Sequence, residues 1–486
     1  MSEDIFKSAV DYHSKKNFSK AKELYEDLLK TNSENIAILQ NYASLLSQIK
    51  EYKKAEDIFK KCLKIKPNDS LVLYNFGKFF QEQKIFNRAI ELYNKSIKID
   101  PKNSVSLYNL GNIYSSLKEF GKSIEYFKKA TDINPKNYYA YNNLGFSYKY
   151  KGNFNLAQKY YKKAIETNPN FVEAHVNYST ILLSLKKFDD GFKEYEWRKK
   201  SKLFSDYLNY KNLKIKSPIW RGENLDNKKI LIFSEQGIGD LFQFSRYLYE
   251  LKEEFRCGVI FRIKHNLSHM FEKNGQIKIL TEKEKIPEHH FHNHLMSLPG
   301  IYYKKNKSFP KNKNFINLDK KNLDKWTKYF SSFKGLKVGI NAGSTVIGQL
   351  QRMIPLNEFR ILTELKHINF FIIQKDFNKE KMKYLNNNSN VHLFEKLDEE
   401  CKPFEDTVSI IKNLDLIITA DTSVAHVSAT LKKKTWVALP LICDWRWFHD
   451  DKKSVWYNNV KLFRQKKNGN WNDIFQKIKQ DIKNNF

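Results

Sequence analysis

Proline, aromatic and small positions recur along the first 200 residues with one fixed spacing. Pro67, Pro101, Pro135 and Pro169 lie 34 residues apart. Three further sets of positions recur every 34 residues. One set is aromatic: Tyr25, Phe59, Tyr93, Phe127, Tyr161 and Tyr195. Two sets, or columns, consist of small residues: Ala43, Gly77, Gly111, Gly145 and Ser179 form the first, and Ala21, Ala55, Ala89, Ser123, Ala157 and Gly191 form the second. Agreement of several columns on one period predicts a repeat architecture.

Each repeat is predicted to be a pair of helices. Small residues let the two helices approach closely, the aromatic residue fills the gap to the next repeat, and proline marks the turn because it cannot continue a helix. The pattern resembles the tetratricopeptide repeat. Ser33 stands where the first repeat would have proline, and the last second helix, FDDGFKEYEWRKK, is altered. We therefore expect an α-solenoid of five repeats plus a modified sixth over residues 1–200.

Asparagines recur at the same period, at Asn75, Asn109 and Asn143. Solenoids of this kind bind extended peptides or partners on their concave face. Amide side chains can hold a peptide backbone through hydrogen bonds. These three residues are therefore candidates for holding a protein partner in the repeat groove, whereas the small and aromatic columns are interpreted as core.

After residue 200 the repeat stops and the hydrophobic pattern changes. Residues 201–227 are predicted to be a linker, followed by apolar runs that alternate with helical stretches. Such alternation indicates parallel sheets with right-handed crossovers. Two Rossmann-like halves are expected, 228–330 and 331–486, and the chain should close with a helix at about 471–484. The predicted buried strands are 229–234, 258–264, 336–341, 368–374, 414–419 and 434–440.

The loop after the first predicted strand is a candidate site. It reads Ser-Glu-Gln-Gly-Ile-Gly-Asp over 234–240 and opens a helix. Ligands of open α/β sheets bind beyond the carboxyl ends of the strands, and glycines allow close approach to backbone N–H groups. Two interpretations of Asp240 stay open: a residue that caps the helix and favours its dipole, or a general base facing the crevice.

A second loop, Asn-Ala-Gly-Ser-Thr, follows the predicted strand 336–341. Gly343, Ser344 and Thr345 could offer backbone and hydroxyl donors to a phosphate, and Arg352 could neutralise it. The alternative is a polar loop with one surface arginine.

A third loop, Ala-Asp-Thr-Ser-Val-Ala-His, follows the predicted strand 414–419 and opens a helix. Asp421, Thr422 and Ser423 cluster at the predicted amino end of that helix, where an anion or a ribose can bind. His426 lies one turn further along, where a structural role is the alternative.

Composition and charge narrow the class of protein. Hydrophobic residues make up 41% and aromatic residues 15% of the chain, enough for packed cores. The net charge of +31 is spread, with 35 basic and 23 acidic residues in 1–200 and 50 and 31 in 201–486. A nucleic-acid footprint is usually a stripe or a tail. No nucleic-acid partner is therefore expected.

The start of the chain and its cysteines point to a compartment. The segment MSEDIFKSAV has acids and no apolar run, so it is not a secretory signal, and no apolar stretch long enough for a transmembrane helix exists. Four cysteines, at positions 62, 257, 401 and 443, lack metal-clip or disulfide spacing. We expect a cytoplasmic protein.

Several motifs occur in an order that resembles a known family. They are EQGIGDLFQFSRYLYEL, HLMSLPGIYY, DLIITADTSVAHVSATLKKKTWVALP and DWRWF…WYNNVKLFRQ…W. Together with EYEWR and WRGENL, they are similar to the heptosyltransferase-like glycosyltransferases of family nine, in the branch that carries N-terminal tetratricopeptide repeats. The resemblance spans essentially the whole chain.

The resemblance implies an α/β GT-B fold of two Rossmann-like domains, with the acceptor on the first half and a nucleotide-sugar on the second. Members invert the anomeric configuration of the transferred sugar and need no bound metal or other cofactor. Asp240 matches the aspartate proposed as the family's base. Arg352 matches a basic residue of the nucleotide-side loop, and Asp421, Thr422 and His426 match the donor motif D-T-x-x-A-H. Glu235, Gln236, Gly237 and Gly239 then lie on the acceptor side.

Two departures from the family pattern concern the donor. Arg352 is followed by Met353 where the family has an Arg-Ser pair, and the segment LKKKTW has lysine and threonine where glycine and proline are expected.

Three functions are open at this point. The first is a cytoplasmic glycosyltransferase whose solenoid recruits a glycan acceptor or a partner. The second is a protein O-glycosyltransferase acting on peptides bound by the repeats. The third is a non-catalytic repeat scaffold with an inactive transferase domain.

Each of two polar segments has two possible roles. An extended conformation would place His290, His292 and His294 on one face, where they could bind a metal or line the acceptor cleft. The basic stretch 304–315 is either a solvated loop or a patch that draws in an acidic acceptor or a membrane surface. The protein could thus be peripheral at the inner membrane face.

Overall fold

The computed structural model describes residues 2–202, 204, 213, 215–264, 266–271, 275, 277–311, 313–343, 352–375, 388–449 and 452–486. The chain forms two compact units, Met1–Asn177 and Tyr178–Phe486. None of the described helices is long and apolar enough to cross a membrane.

Helices alternate with tight turns through the described residues before 200, as the repeat predicts. They are α1 Ser2–Ser14, α2 Phe18–Thr31, α3 Ile36–Gln48, α4 Tyr52–Ile65, α5 Ser70–Glu82, α6 Phe86–Ile99, α7 Ser104–Ser116, α8 Phe120–Ile133, α9 Tyr138–Tyr150, α10 Phe154–Thr167, α11 Val172–Ser184 and α12 Phe188–Tyr195. Polar caps at the period of 34 satisfy their first amides. The Asp69 carboxylate accepts from the N–H of Leu71 at 2.9 Å, and the side-chain oxygen of Asn137 accepts from the N–H of Ala140 at 3.0 Å.

The small and aromatic columns meet inside the repeats, which confirms the predicted close approach of the two helices. The aromatic ring, which was predicted to fill the gap to the next repeat, packs against the small residue of its own repeat. A Cβ added to Gly111 would lie 2.5 Å from Cδ1 of Phe127, and one added to Gly145 would lie 2.7 Å from Cδ1 of Tyr161. Phe127 and Tyr161 are fully buried. The two helices of a repeat are therefore close enough that only the smallest side chains fit between them.

The second unit contains two parallel sheets. The first sheet has the order β3-β2-β1-β4 and the second β10-β9-β8-β5-β6-β7. All six predicted strands are confirmed, whereas β3, β4, β7 and β10 were not among them. The strands are β1 Lys229–Phe233, β2 Gly258–Ile263, β3 Lys278–Thr281, β4 Phe291–His294, β5 Leu336–Asn341, β6 Ile368–Ile372, β7 Val391–Leu393, β8 Leu416–Thr419, β9 Lys434–Leu439 and β10 Val460–Arg464.

Helices follow most strands of this unit, which is therefore an α/β structure. They are α13 Ile238–Phe244, α14 Arg246–Glu254, α15 Leu298–Asn306, α16 Lys320–Phe330, α17 Arg360–Thr363, α18 Glu405–Asn413, α19 Ser423–Thr430 and α20 Asn472–Asn485. The last of these confirms the predicted closing helix. Apolar side chains from both sheets and their helices, among them Ile232, Phe242 and Ile417, are fully buried.

Helix α12 and the turn Glu196–Lys200 lie in the second unit, although the repeat pattern runs to 200. Phe188 of α12 packs against Tyr303 and Phe309, with ring centroids 4.8 and 4.9 Å apart. The modified second helix of the sixth repeat thus packs its apolar face against helix and loop residues of the α/β unit. The compact units consequently divide ahead of the predicted boundary at 200.

Candidate functional site

Five charged side chains meet where the strands of both sheets end. They form what we call the charge network, which consists of Asp240, Arg352, Asp421, Asp444 and Arg446. Asp240 follows β1, Arg352 lies beyond β5, Asp421 follows β8, and Asp444 and Arg446 follow β9. The carboxyl ends of parallel strands are where ligands bind in open α/β sheets.

Asp240 enters the network from the start of α13. Its Oδ2 accepts a hydrogen bond from the N–H of Gly237 at 3.1 Å, and its Oδ1 forms an ion pair with Nη2 of Arg446. One carboxylate oxygen thus caps the helix, as the first interpretation predicts, while the other faces the network. Burial raises the pKa of Asp240 above its ordinary value, although Arg446 opposes this.

Arg446 connects the two sheets and was not singled out from the sequence. It lies in the turn Trp445–Trp447, and its Nη1 donates to Oδ1 of Asp444 at 2.6 Å. Its Nη2 also donates to Oε1 of Gln236 at 3.1 Å. Burial opposes ionisation of Asp444, but Arg446 and Arg352 outweigh it and hold the pKa of Asp444 well below its ordinary value.

Arg352 and Asp421, predicted on separate loops, contact each other. Nη1 of Arg352 lies 3.4 Å from Oδ2 of Asp421, and its Nη2 lies 3.1 Å from Oδ2 of Asp444. The indole N–H of Trp447 donates to Oδ1 of Asp421 at 2.7 Å. Burial raises the pKa of Asp421, with Arg352 opposing. The Arg352 side chain keeps 37% of its surface exposed.

The start of α19 lies beside the start of α13. Thr422 is the N-cap residue of α19, and its Oγ1 donates to Oδ1 of Asn341 at 3.1 Å. A Cβ added to Gly239 would lie 3.0 Å from Cδ2 of His426 and 3.6 Å from Cα of Ser423. Glycine at 239 therefore lets the two helices approach closely, which brings the two sheet ends together.

His426 is a buried neutral imidazole. Its ring stacks on Trp447 with centroids 5.1 Å apart, and its Nδ1 lies 3.1 Å from the hydroxyl of Tyr457. Burial, followed by the charge of Arg446, lowers the pKa of His426 to about 3. Its place supports the structural alternative, since it holds Trp447 against Asp421.

Residues of the predicted acceptor-side loop have two different surroundings: Glu235 is bound within the α/β unit, and Gln236 faces the charge network. Both carboxylate oxygens of Glu235 bind Arg198, at 2.7 and 3.0 Å, and Oε1 also accepts from the N–H of Met296 at 2.8 Å. Gln236 instead faces the charge network through Arg446, and its amide donates to the hydroxyl of Tyr195 at 2.7 Å. Glu235 thus positions the loop, and Gln236 lines the site.

The predicted phosphate loop after β5 is described only at its start and end. Gly343 has a φ of 123°, and a Cβ there would lie 3.1 Å from Cα of Met353. A side chain is therefore unfavourable at 343. Ser344 and Thr345 lie outside the described residues.

The three histidines of the predicted extended run are indeed on or beside strand β4, but each has its own partner. Nδ1 of His290 accepts from the N–H of Lys229 at 3.0 Å, and Nδ1 of His292 lies 3.0 Å from Oγ of Ser217. His294 stacks on Phe233. The rings therefore serve separate contacts along the strand.

One other group has the composition of a cation site. Ligand atoms of Asp398, Cys401 and Asp406 lie within 4.8 Å of one another. The Asp398 carboxylate accepts from the N–H groups of Asp406 at 2.8 Å and Thr407 at 3.1 Å, at the start of α18. These contacts are those of a helix cap.

Lysines of the basic stretch 304–315 pair with acids. Lys305 pairs with Glu254, Lys307 with Asp189 at 2.5 Å, and Lys313 with Glu250 at 2.9 Å. Much of its charge is therefore balanced locally, as in a solvated surface segment.

The asparagine column of the solenoid has more members than the three predicted above. Asn41 and Asn177 extend Asn75, Asn109 and Asn143 to five residues at the period of 34, a signal that was readable in the sequence. The amide of Asn75 donates to Gln40, and that of Asn143 donates to Oδ1 of Asn112 at 2.8 Å. Asn41 and Asn75 line a cavity of about 140 Å³.

The matches of family models lie within the first unit. Models of the tetratricopeptide repeat match residues 12–74, 71–103, 104–137 and 138–171. Among solved structures, the chain is similar to Pseudomonas aeruginosa PilF, at 18% identity over 44% of this chain and 96% of that chain, with a TM-score of 0.38. It is similar to MamA at 25% identity over 35% of this chain and 92% of that chain, with a TM-score of 0.30.

A third similar structure is YrrB, described as a TPR protein with an unusual peptide-binding site. It is 18% identical over 39% of this chain and 98% of that chain, with a TM-score of 0.32. No curated protein matches the chain. The family models confirm the repeat prediction: residues 12–171 are built of tetratricopeptide repeats.

Proposed function

We propose that the α/β unit is an inverting glycosyltransferase that moves a sugar from a nucleotide-diphosphate donor to an acceptor hydroxyl. The observation that carries this proposal is the pairing of Asp240, at the end of one sheet, with Arg446, at the end of the other. A carboxylate and a cluster of guanidinium groups, held side by side, are the two kinds of group that such a transfer needs.

The first task is to take a proton. When the acceptor oxygen attacks the sugar, the new C–O bond forms as the bond to the diphosphate breaks, and the acceptor proton passes to a base. Burial raises the pKa of Asp240, which makes its carboxylate a stronger base than an exposed aspartate. Gly237 fixes one oxygen, so the other has a defined direction.

The second task is to stabilise the departing nucleoside diphosphate. Arg352 is half-exposed and its pKa is raised above its ordinary value, burial being outweighed by Asp421 and Asp444. A guanidinium group carries five N–H donors and binds phosphate oxygens strongly; Arg352 would use the donors that Asp421 and Asp444 leave free. The amino end of α19, with Thr422 and Ser423, adds N–H and hydroxyl donors nearby.

The proposal assigns the two halves as the family resemblance implies. In a GT-B arrangement, the loop with Gln236, Gly237 and Gly239 receives the acceptor. Gly343, Arg352 and the start of α19, with Asp421, Thr422 and Ser423, receive the donor, and Ser344 and Thr345 remain predicted donor-side residues. The four cysteines are free thiols, as is usual in a reducing compartment. We therefore place the enzyme in the cytoplasm.

The repeat unit gives the enzyme a protein-interaction surface. Tetratricopeptide repeats form extended concave surfaces for partners, and the five asparagines at the period of 34 favour a peptide as the bound chain. A protein O-glycosyltransferase that acts on peptides held by the repeats is therefore the second candidate. Detection of peptide-linked rather than glycan-linked product would distinguish it from the first.

A thermal-shift screen of the full chain against a panel of nucleotide-sugars tests the proposal. A ligand at about 100 times its Kd stabilises the native state by about 2.7 kcal/mol, so one donor should raise the melting temperature by several degrees. The variant Arg352→Ala should lose most of this shift. If no nucleotide-sugar or nucleoside diphosphate shifts the wild-type protein, the chain is the non-catalytic scaffold and the proposal is wrong.

A further inference from the structure

Arg446 contacts two carboxylates with separate nitrogens. Nη1 donates to Oδ1 of Asp444 at 2.6 Å, and Nη2 pairs with Oδ1 of Asp240 and donates to Gln236. Asp444 is itself held, because its Oδ1 accepts from the backbone N–H of Arg446 at 3.1 Å. One guanidinium group is thus shared between a carboxylate on its own turn and one on the opposite sheet end.

Aromatic rings fix the guanidinium of Arg446 between these partners. Its Cζ lies 4.8 Å from the ring centroid of Trp445 and 5.6 Å from that of Phe244. Only 9% of the Arg446 side chain is exposed. A planar cation held by stacking and by two acids has little freedom to change partners.

This inference rests on the proposed function. We propose that Arg446 is the positioning residue of the transferase: it aims the Asp240 carboxylate at the acceptor and keeps it charged, while Asp444 limits this effect by sharing the same guanidinium. Arg446 acts through Asp240 and needs no contact with the sugar.

The other groups that face Asp240 do not obscure this effect. Arg446 and Arg352 favour its charged form, whereas Asp444 disfavours it. His426 is neutral above about pH 3, and burial raises the pKa values of Tyr195 and Tyr457, which also remain neutral near pH 7. Opposite shifts are therefore expected when Arg446 and Asp444 are each neutralised.

The test measures the titration of Asp240 directly. Aspartate labelled with ¹³C at the carboxyl carbon is incorporated into the full chain, and Asp240→Asn assigns the Asp240 signal. In Arg446→Gln, the titration midpoint of Asp240 should rise by about one pH unit or more, since an opposite charge within about 4–6 Å shifts a carboxylate by one to three units. In Asp444→Asn, the midpoint should fall. Arg446→Lys should restore most of the wild-type midpoint.

Turnover supplies the second readout. The acidic limb of the pH profile of kcat/KM should move to higher pH in Arg446→Gln and to lower pH in Asp444→Asn, and far-UV circular dichroism checks that each variant is folded. An unchanged titration midpoint of Asp240 in Arg446→Gln, or shifts of this midpoint in the same direction in both variants, would overturn the inference. The proposed function would still stand if the wild-type enzyme turns over a nucleotide-sugar. A wild-type chain that turns over no nucleotide-sugar would overturn the proposed function, and this inference with it.

Discussion

Arg198 and Glu235 form a bidentate ion pair inside the α/β unit, with Nη2–Oε1 at 2.7 Å and Nε–Oε2 at 3.0 Å. Their side chains are 5% and 0% exposed. Arg198 comes from the turn Glu196–Lys200 that follows α12, and Glu235 from the loop that follows β1. The pair therefore ties the segment that continues the repeats to the loop that carries Asp240.

We expect Glu235→Gln to destabilise the α/β unit strongly. Removing one partner of a buried ion pair leaves the other charge unpaired, which costs about 3–5 kcal/mol. All eight tryptophans lie between residues 197 and 471, so urea denaturation monitored by tryptophan fluorescence reports the unfolding of this unit. The matched control is Glu196→Gln, whose carboxylate also pairs with Arg198, at 2.9 Å, but is 43% exposed. It should cost no more than about 1 kcal/mol; equal losses in both variants would contradict the account.

Gly111→Ala should destabilise the solenoid, because its new Cβ would lie 2.5 Å from the ring of the buried Phe127. Overpacking of this kind costs about 1–3 kcal/mol. Circular dichroism at 222 nm during urea denaturation should detect the change, whereas the tryptophan transition of the other unit should stay in place. Gly121→Ala is the control, since nothing lies within 4 Å of its Cβ. It should stabilise helix α8 by about 0.5–1 kcal/mol, and a loss of stability there would count against the packing described.

The pKa of His426 predicts how stability depends on pH. This pKa is about 3 in the folded chain and 6.5 in its ordinary state, so protons bind preferentially to the unfolded chain. Stability that is complete above pH 6.5 is lost as the pH falls from 6.5 toward 3. Between pH 7.5 and pH 5, wild type should lose about 2 kcal/mol more than His426→Asn in the free energy of unfolding. Parallel pH dependence of the two proteins, measured by urea denaturation, would show that the imidazole is not held neutral.

β4, one of the strands that the sequence analysis missed, has no apolar run. β4 has the sequence FHNH, yet His292, Asn293 and His294 are buried. Tertiary partners bind the first two: Nδ1 of His292 lies 3.0 Å from Oγ of Ser217, and the amide of Asn293 donates to the carbonyl of Trp220 at 2.7 Å. Strand prediction depends on hydrophobic pattern, and this polar edge strand gives none.

The left-handed backbone of the turns within the repeats could not be predicted from the sequence either. A residue with φ between 59° and 77° recurs there at the period of 34: Lys16, Lys50, Lys84, Lys118, Gly152 and Lys186. Left-handed backbone is usually signalled by glycine, and here five of the six positions are lysine. Repeated tertiary contacts on both sides impose the turn in spite of the side chain.

Within the candidate site, the loops that carry Asp240, Arg352 and Asp421 were predictable because each follows an apolar strand. Arg446 was not, although it completes the network. It lies in an aromatic run, Asp-Trp-Arg-Trp, after the predicted strand 434–440. Its contact with Asp240 joins residues from two sheets, and no periodicity or spacing in one sequence encodes that contact.

Nucleoside diphosphate release is the measurement that tests the central claim most directly. With a donor identified by thermal shift, release is followed for wild type, Asp240→Asn and the control Asp226→Asn, an exposed residue outside the network. Loss of the base should slow release at least about 100-fold while the thermal shift with the donor persists, and the control should match wild type. Wild-type rates in Asp240→Asn would contradict the account.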